Sequence, residues 1–276
     1  CRHPRSAAAT MGGEHFRESS FMLLCIDVGN TNITLGLYEG ETLGPRWRLA
    51  TDHERMPDEF ILQLLGLLAH SGIDRENVDG AAIASVVPTL TGRWVRVCRR
   101  GLNLDPLVVD GTVETGVRIL YDEPGSVGAD RVVDAVAAYR LYGGPACVVD
   151  FGTATTFDAI SPDGDYLGGA IAPGIGIAAH ALFQRAAMLP RVELARPPSA
   201  IGRNTPHSMQ SGLLFGYVSL VEGMVARFRE ELGPDTKVIG TGGLAEVIAR
   251  ETEVLEILAP WLTLDGLRMV YEMNRE

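Results

Sequence analysis

From Met22 to Val28 the chain is apolar at nearly every position, the pattern of a strand covered on both faces. Two further strands are predicted near 32–38 and 45–50. Behind Pro57, apolar residues recur at Phe60, Ile61, Leu64, Leu65, Leu67 and Leu68, which predicts a helix from Pro57 to Ser71 with proline in its first turn. Ala81 to Val87 reads as a buried strand, Thr89 to Leu102 as a second helix, and Pro106 to Val109 as a short closing strand. The same pattern then restarts, with strands near 146–151, 154–160 and 166–172 and a helix from about Gly174 to Met188. After a linker rich in proline and arginine, Pro206 marks the start of a helix running to Leu232. Its Gly212, Gly216 and Gly223 each lower helix propensity by about 1 kcal/mol, so close packing is expected there. Lys237-Val238-Ile239 is a strand leading into Gly240-Thr241-Gly242-Gly243 and a helix from Leu244. A last helix, about 260–274, is expected on the outside.

Each half opens on the same local phrase. Leu23 to Asn32 reads apolar strand, Asp27, one apolar residue, Gly29, then small polar residues. Ala146 to Asp158 repeats it with Asp150, Gly152, Thr153, Thr155 and Thr156. Glycine lets a ligand approach the backbone closely, and the threonines add hydroxyls beside exposed N–H groups, a turn suited to phosphate with a cation next to it. A single copy is an ordinary hairpin turn. Two copies about one small domain apart point to a nucleotide held between facing bends.

Composition narrows the classes. The 276-residue chain carries a net charge of −11, which argues against nucleic acid or an anionic membrane as a partner. With 46% hydrophobic and 21% charged residues it has an ordinary globular balance. Lys237 is the only lysine, so no G-x-x-x-x-G-K-[S/T] loop exists and a protein kinase's ATP-anchoring lysine has no counterpart. Phosphate must therefore be met by backbone N–H groups, arginines and cations. The cysteines show no paired spacing, and Cys25 and Cys147 lie inside apolar strands as reduced core residues. Without an apolar run of membrane-spanning length, a cytoplasmic protein is expected. Residues 1–21 read as a disordered extension or expression remnant, residues 22–143 as a first domain with its hinge segment, and residues 144–276 as a second domain. In the hinge, Gly128-Ala129-Asp130-Arg131 opens a helix. Asp130 there is either a cap meeting free N–H groups or, with Arg131 diverging beside it, a base and a cation offered to one substrate.

The order βββαβαβ resembles the ribonuclease-H-like core. Taken together, Asp27-Val28-Gly29-Asn30-Thr31, Gly128-Ala129-Asp130-Arg131, Asp150-Phe151-Gly152-Thr153-Ala154-Thr155-Thr156 and Gly240-Thr241-Gly242-Gly243 make the chain from Met22 onward similar to the type III pantothenate kinases, of the acetate and sugar kinase/heat-shock chaperone/actin superfamily. That resemblance implies an α/β fold of two duplicated ribonuclease-H-like (actin-like ATPase) domains with a cleft between them. It implies ATP-dependent phosphorylation of pantothenate to 4'-phosphopantothenate, the first step of coenzyme A biosynthesis. Asp27, Val28, Gly29, Asn30, Thr31, Asn32, Ile33 and Thr34 would cradle the ATP phosphates with Thr153, and the Gly242 turn would lie against the adenosine. Asp130 would be the general base; Tyr121, Gly128, Ala129, Asp130, Arg131 and Thr205 would hold pantothenate. Asp27 would help position Mg²⁺, and Asp150 would bind a monovalent cation, K⁺ or NH₄⁺. A homodimer with its substrate site near the subunit interface is also implied. Three other readings stay open: another kinase or an exopolyphosphatase on the same fold, a non-catalytic transcriptional activator relative, or a chaperone-like nucleotide-gated module.

Overall fold

The computed structural model describes residues 21–275, and the reading of residues 1–20 lies outside them. Phe21 is the first described residue; its ring stacks on Tyr271 at 6.0 Å between centroids. Two five-stranded sheets carry the fold. In the first, β1 (Met22–Val28) lies between antiparallel β2 (Asn32–Glu39) and parallel β4 (Gly80–Ser85), with β3 (Thr42–Ala50) and β5 (Leu107–Val108) at the edges. In the second, β6 (Ala146–Phe151) lies between antiparallel β7 (Ala154–Ile160) and parallel β9 (Lys237–Thr241), edged by β8 (Tyr166–Pro173) and β10 (Ile257–Leu258). The strand orders, β3-β2-β1-β4-β5 and β8-β7-β6-β9-β10, are one plan used twice.

Strand period sets the layers. On β1, Leu24, Ile26 and Val28 face α1 (Pro57–His70) and α2 (Pro88–Val97), whose Phe60, Leu64, Leu90 and Trp94 are buried against them. The alternate residues, Leu23 and Cys25, face a central cluster shared with the second lobe. On β6, Ala146 and Val148 face that same cluster, while Cys147, Val149 and Phe151 face outward. Their outward cover is α5 (Thr205–Leu232), through Leu214, Val218, Val221 and Val225. Asp27 and Asp150 continue the centre-facing series of their strands, so period 2 alone turns both carboxylates toward the space between the lobes. Cys25, Cys98 and Cys147 are buried free thiols.

Two helices occupy the middle. The run Val132 to Ala138 of α3 (Ala129–Tyr142) is buried throughout. Against it lies α7 (Leu262–Met273), which follows the second lobe in sequence yet packs back on the first. The expectation of an outside position for this last helix is thus corrected. Leu262, Leu264, Leu267 and Val270 give it an apolar face, and Gly266 lets the backbones of α3 and α7 meet. A Cβ on Gly266 would run into the Val133 carbonyl oxygen. Gly266→Ala is therefore expected to destabilise the chain by about 1–3 kcal/mol, read as a lower urea midpoint at unchanged m value.

Other boundaries also differ. The second helix ends at Val97 and gives way to a wider π turn, Cys98–Leu102, closed by left-handed Asn103. The helix predicted for about Gly174 to Met188 is α4 (Ile175–Arg185). A Cβ at Gly212, Gly216 or Gly223 of α5 would meet nothing within 4 Å, so the packing expected at these glycines is not made within one copy of the chain. Among the described residues no helix is long and apolar enough to cross a membrane.

Candidate active site

The two bends meet. At the end of β1 the Gly29 amide closes on the Asn32 carbonyl at 3.0 Å, leaving Asn30, Thr31 and Asn32 exposed at the tip. At the end of β6 the chain turns at Gly152 and Thr153 before entering β7. Thr31 Oγ1 and Thr153 Oγ1 lie 2.7 Å apart in a hydrogen bond that joins the tips of the two bends. Val28 and Ile33 are buried anchors of the first bend, and Thr34 is half-buried opposite Asp27. The glycine turn after β9 closes the same space. A Cβ at Gly242, whose φ is +87°, would run into Asp150 Oδ1.

Three carboxylates share this region. Burial lifts Asp27 well above the ordinary carboxylate range, and the charges of Asp130 and Asp150 add to the rise. Burial pushes Asp150 up to about 7, helped by Asp130 and Asp158 and opposed by Arg48. Asp130 is also raised, mainly by burial, while the Arg131 backbone N–H donating to its Oδ1 at 2.8 Å works the other way. Like charges crowded at partly dry positions hold their protons unless a cation joins them. The donor set, carboxylate and hydroxyl oxygen, suits hard cations. Among the described residues no preassembled cluster of three or more metal-ligating side chains exists. Mg²⁺ is usually held by one or two carboxylates plus phosphate oxygens and water.

Beside the bends lies a second, half-enclosed group. Asp130 and Arg131 sit in the first turn of α3, and a Cβ at Gly128 would lie 2.5 Å from Asp130 Oδ1, so glycine leaves that carboxylate its position. Ala129 is the first residue of the helix. Arg131 Nε donates to Asp158 Oδ1 at 2.6 Å, and the Tyr166 hydroxyl donates to the same oxygen at 2.9 Å. Tyr121 stacks at a tilt on Tyr166, 6.4 Å between centroids, and its ring lies over Gly168. Arg131 Nη2 is buried with no hydrogen-bond partner. The structure thus brings together Tyr121, Gly128, Ala129, Asp130 and Arg131. Thr205 is left apart, exposed at the first turn of α5, with no hydrogen bond to this group.

Three participants went unread in the sequence. Tyr166 looks like a strand aromatic until its hydroxyl is seen on Asp158. Arg48 is one arginine of many. Asp134, one turn after Asp130, is 3% exposed, and its Oδ1 has no hydrogen-bond partner. Burial and the charge of Asp150 raise its pKa well above the usual range. A lone carboxylate inside Val132-Val133-Asp134-Ala135-Val136 was the available signal.

Two like sheets whose acid-bearing bends face one shared space define the class: a two-lobed protein of the actin-like ATPase and sugar kinase fold. A solved structure from Sinorhizobium meliloti assigned as a 2-dehydro-3-deoxygalactonokinase superposes with a TM-score of 0.56 at 14% identity, covering 92% of this chain and 96% of that one. One from Campylobacter jejuni assigned to the Baf family of transcriptional activators gives 0.51 at 18% identity, covering 91% and 97%. At such identities both show the fold alone. The family model described as type III pantothenate kinase matches residues 23–227. A curated type III pantothenate kinase of Roseiflexus sp. (strain RS-1) is 54% identical over 254 residues, covering 92% of this chain and 100% of its own length. The chain belongs to the type III pantothenate kinase family, and is thereby a phosphotransferase.

Proposed function

We propose that this protein transfers the γ-phosphoryl group of ATP to the primary hydroxyl of pantothenate, giving 4'-phosphopantothenate and ADP, the entry to coenzyme A biosynthesis. The observation that carries the reading is the meeting of the two bends at Thr31 and Thr153 with Asp130 beside them. The triphosphate lies between the bends, cradled by residues 27–34 and Thr153, with adenosine against the Gly242 turn. Pantothenate lies along Tyr121 and the start of α3, its carboxylate drawn by the charge of Arg131. Asp130 takes the proton from the primary hydroxyl as that oxygen bonds to the γ-phosphorus and the bond to the ADP oxygen breaks. Asp27 would hold Mg²⁺ and Asp150 a monovalent cation, which when bound would supply positive charge beside the phosphates.

The working unit is a homodimer. Ile177, Leu182, Phe183 and Met188 stand exposed on and after α4, flanking a groove of about 650 Å³ between α4 and α5. A monomer rarely leaves so much apolar surface open. The open faces of Gly212 and Gly216 suit the close approach of a partner helix. Thr205, stranded within one copy, would reach pantothenate from the edge of this face. Light scattering is expected to give twice the 29.7 kDa chain mass; a monomer at working concentration contradicts the dimer.

A coupled ADP-release assay over a panel of acceptors tests the function. Turnover with pantothenate and none with acetate or hexoses is expected; preference for a sugar or acetate would replace the substrate.

A further inference from the structure

Across the first sheet, Asp27 pairs with Thr34 on β2, and Thr34 pairs with Arg48 on β3. Directly opposed residues of antiparallel strands leave the sheet on one face. Arg48 therefore projects on the side where Asp27 meets the space between the lobes. The second sheet holds the matching row, Asp150, Thr156 and Ile171. Two of the three positions agree between lobes, carboxylate and threonine. At the third, one lobe has a guanidinium and the other an exposed alkyl group.

Arg48 also spans the gap. A Cβ placed on Gly243, in the glycine turn of the second lobe, would lie 3.1 Å from Arg48 Nη1. Its charge acts on both Asp27 and Asp150. Among the described residues, however, no hydrogen bond or ion pair holds the guanidinium. Arg131 is engaged with Asp158, and Lys237, at the other end of β9, with the Tyr142 carbonyl. A guanidinium presents a planar fork of donors that matches phosphate oxygens two at a time.

We propose that Arg48 clamps the phosphates of ATP from the first lobe, a role not open to the chain's single lysine, which stands at the opposite end of β9 from the glycine turn. The proposal rests on the ATP-dependent reading above. The duplicated acid bends supply cation sites and backbone donors, and Arg48 supplies the fixed positive charge that neither bend contains. Because it reaches from β3 to the Gly243 turn, it also ties nucleotide binding to the closeness of the two lobes.

Calorimetric titration of the full chain with ADP and Mg²⁺ tests this without turnover. Arg48→Gln is expected to weaken ADP binding roughly 10- to 100-fold, the range for a lost hydrogen-bonded charge. Arg48→Lys should recover part of the loss, as a point charge without the fork. The KM for pantothenate and the melting temperature of both variants should match the parent, since the side chain is exposed. ADP binding at parental strength in Arg48→Gln overturns the proposal. A fall in melting temperature that accounts for the weaker binding also overturns it, by making the role structural. A parent that binds ADP but leaves pantothenate untouched refutes the substrate assignment alone, and the Arg48 comparison still stands.

Discussion

Asp130→Asn is expected to lower kcat at least about 10²-fold while the protein stays folded, because a positioned carboxylate base contributes typically 10²–10⁴ in rate. Asparagine keeps the size of the side chain and its acceptor for the Arg131 N–H, so packing at the start of α3 is retained. What it loses is the ability to take a proton. The KM for ATP should change little, since the proposed nucleotide site lies at the bends. The pH profile adds a second readout. Burial raises the Asp130 pKa, and a base works only when deprotonated. The acid limb of kcat/KM should therefore lie above the ordinary carboxylate value of about 4, with rate lost as pH falls through it. Parental turnover in Asp130→Asn would remove this residue from the mechanism.

Replacement of Asp150 has the next largest expected effect, and on two observables in opposite directions. Asp150→Asn would remove a ligand from the proposed cation site and should cost roughly 10²-fold in rate, the scale of one lost electrostatic partner in a dry site. The parent should be slow in Na⁺ and restored by K⁺ or NH₄⁺; the variant should not distinguish the three. Equal parental rates in all three salts would argue against a cation at this carboxylate. Stability should move the other way. An ordinary unfolded carboxyl ionises near pH 4, whereas the folded Asp150 is pushed up to about 7. Between those values the unfolded state releases its proton first, so the parent loses stability as pH rises and bears the full cost above 7. Without ligands, Asp150→Asn should melt higher than the parent at pH 8 and alike near pH 4. A carboxylate that weakens the fold where it stands is the mark of a functional position.

The sequence disclosed much of this arrangement, for identifiable reasons. The repeated strand-Asp-x-Gly phrase shows in β1 and β6 because both strands are central and almost wholly apolar, so a carboxylate at the end of each stands out. Their facing one another follows from strand parity, which one sequence displays. The position of α7 did not: its apolar stripe fits any buried face, and only Gly266 against Val133 fixes the partner. The glycines of α5 asked for close packing, yet their faces are open within one chain. Arg48 was invisible because its meaning lies in cross-strand register, which pairs it with Thr34 and through it with Asp27. Asp158 stood next to the second bend, but its ion pair with Arg131 joins residues 27 positions apart.

The most direct test of the central claim is a crystal structure of the chain with pantothenate and a non-hydrolysable ATP analogue. The account predicts the triphosphate between Thr31 and Thr153, with the primary hydroxyl of pantothenate within hydrogen-bond reach of Asp130. An analogue bound away from both bends, or an acceptor hydroxyl that Asp130 does not reach, would contradict it.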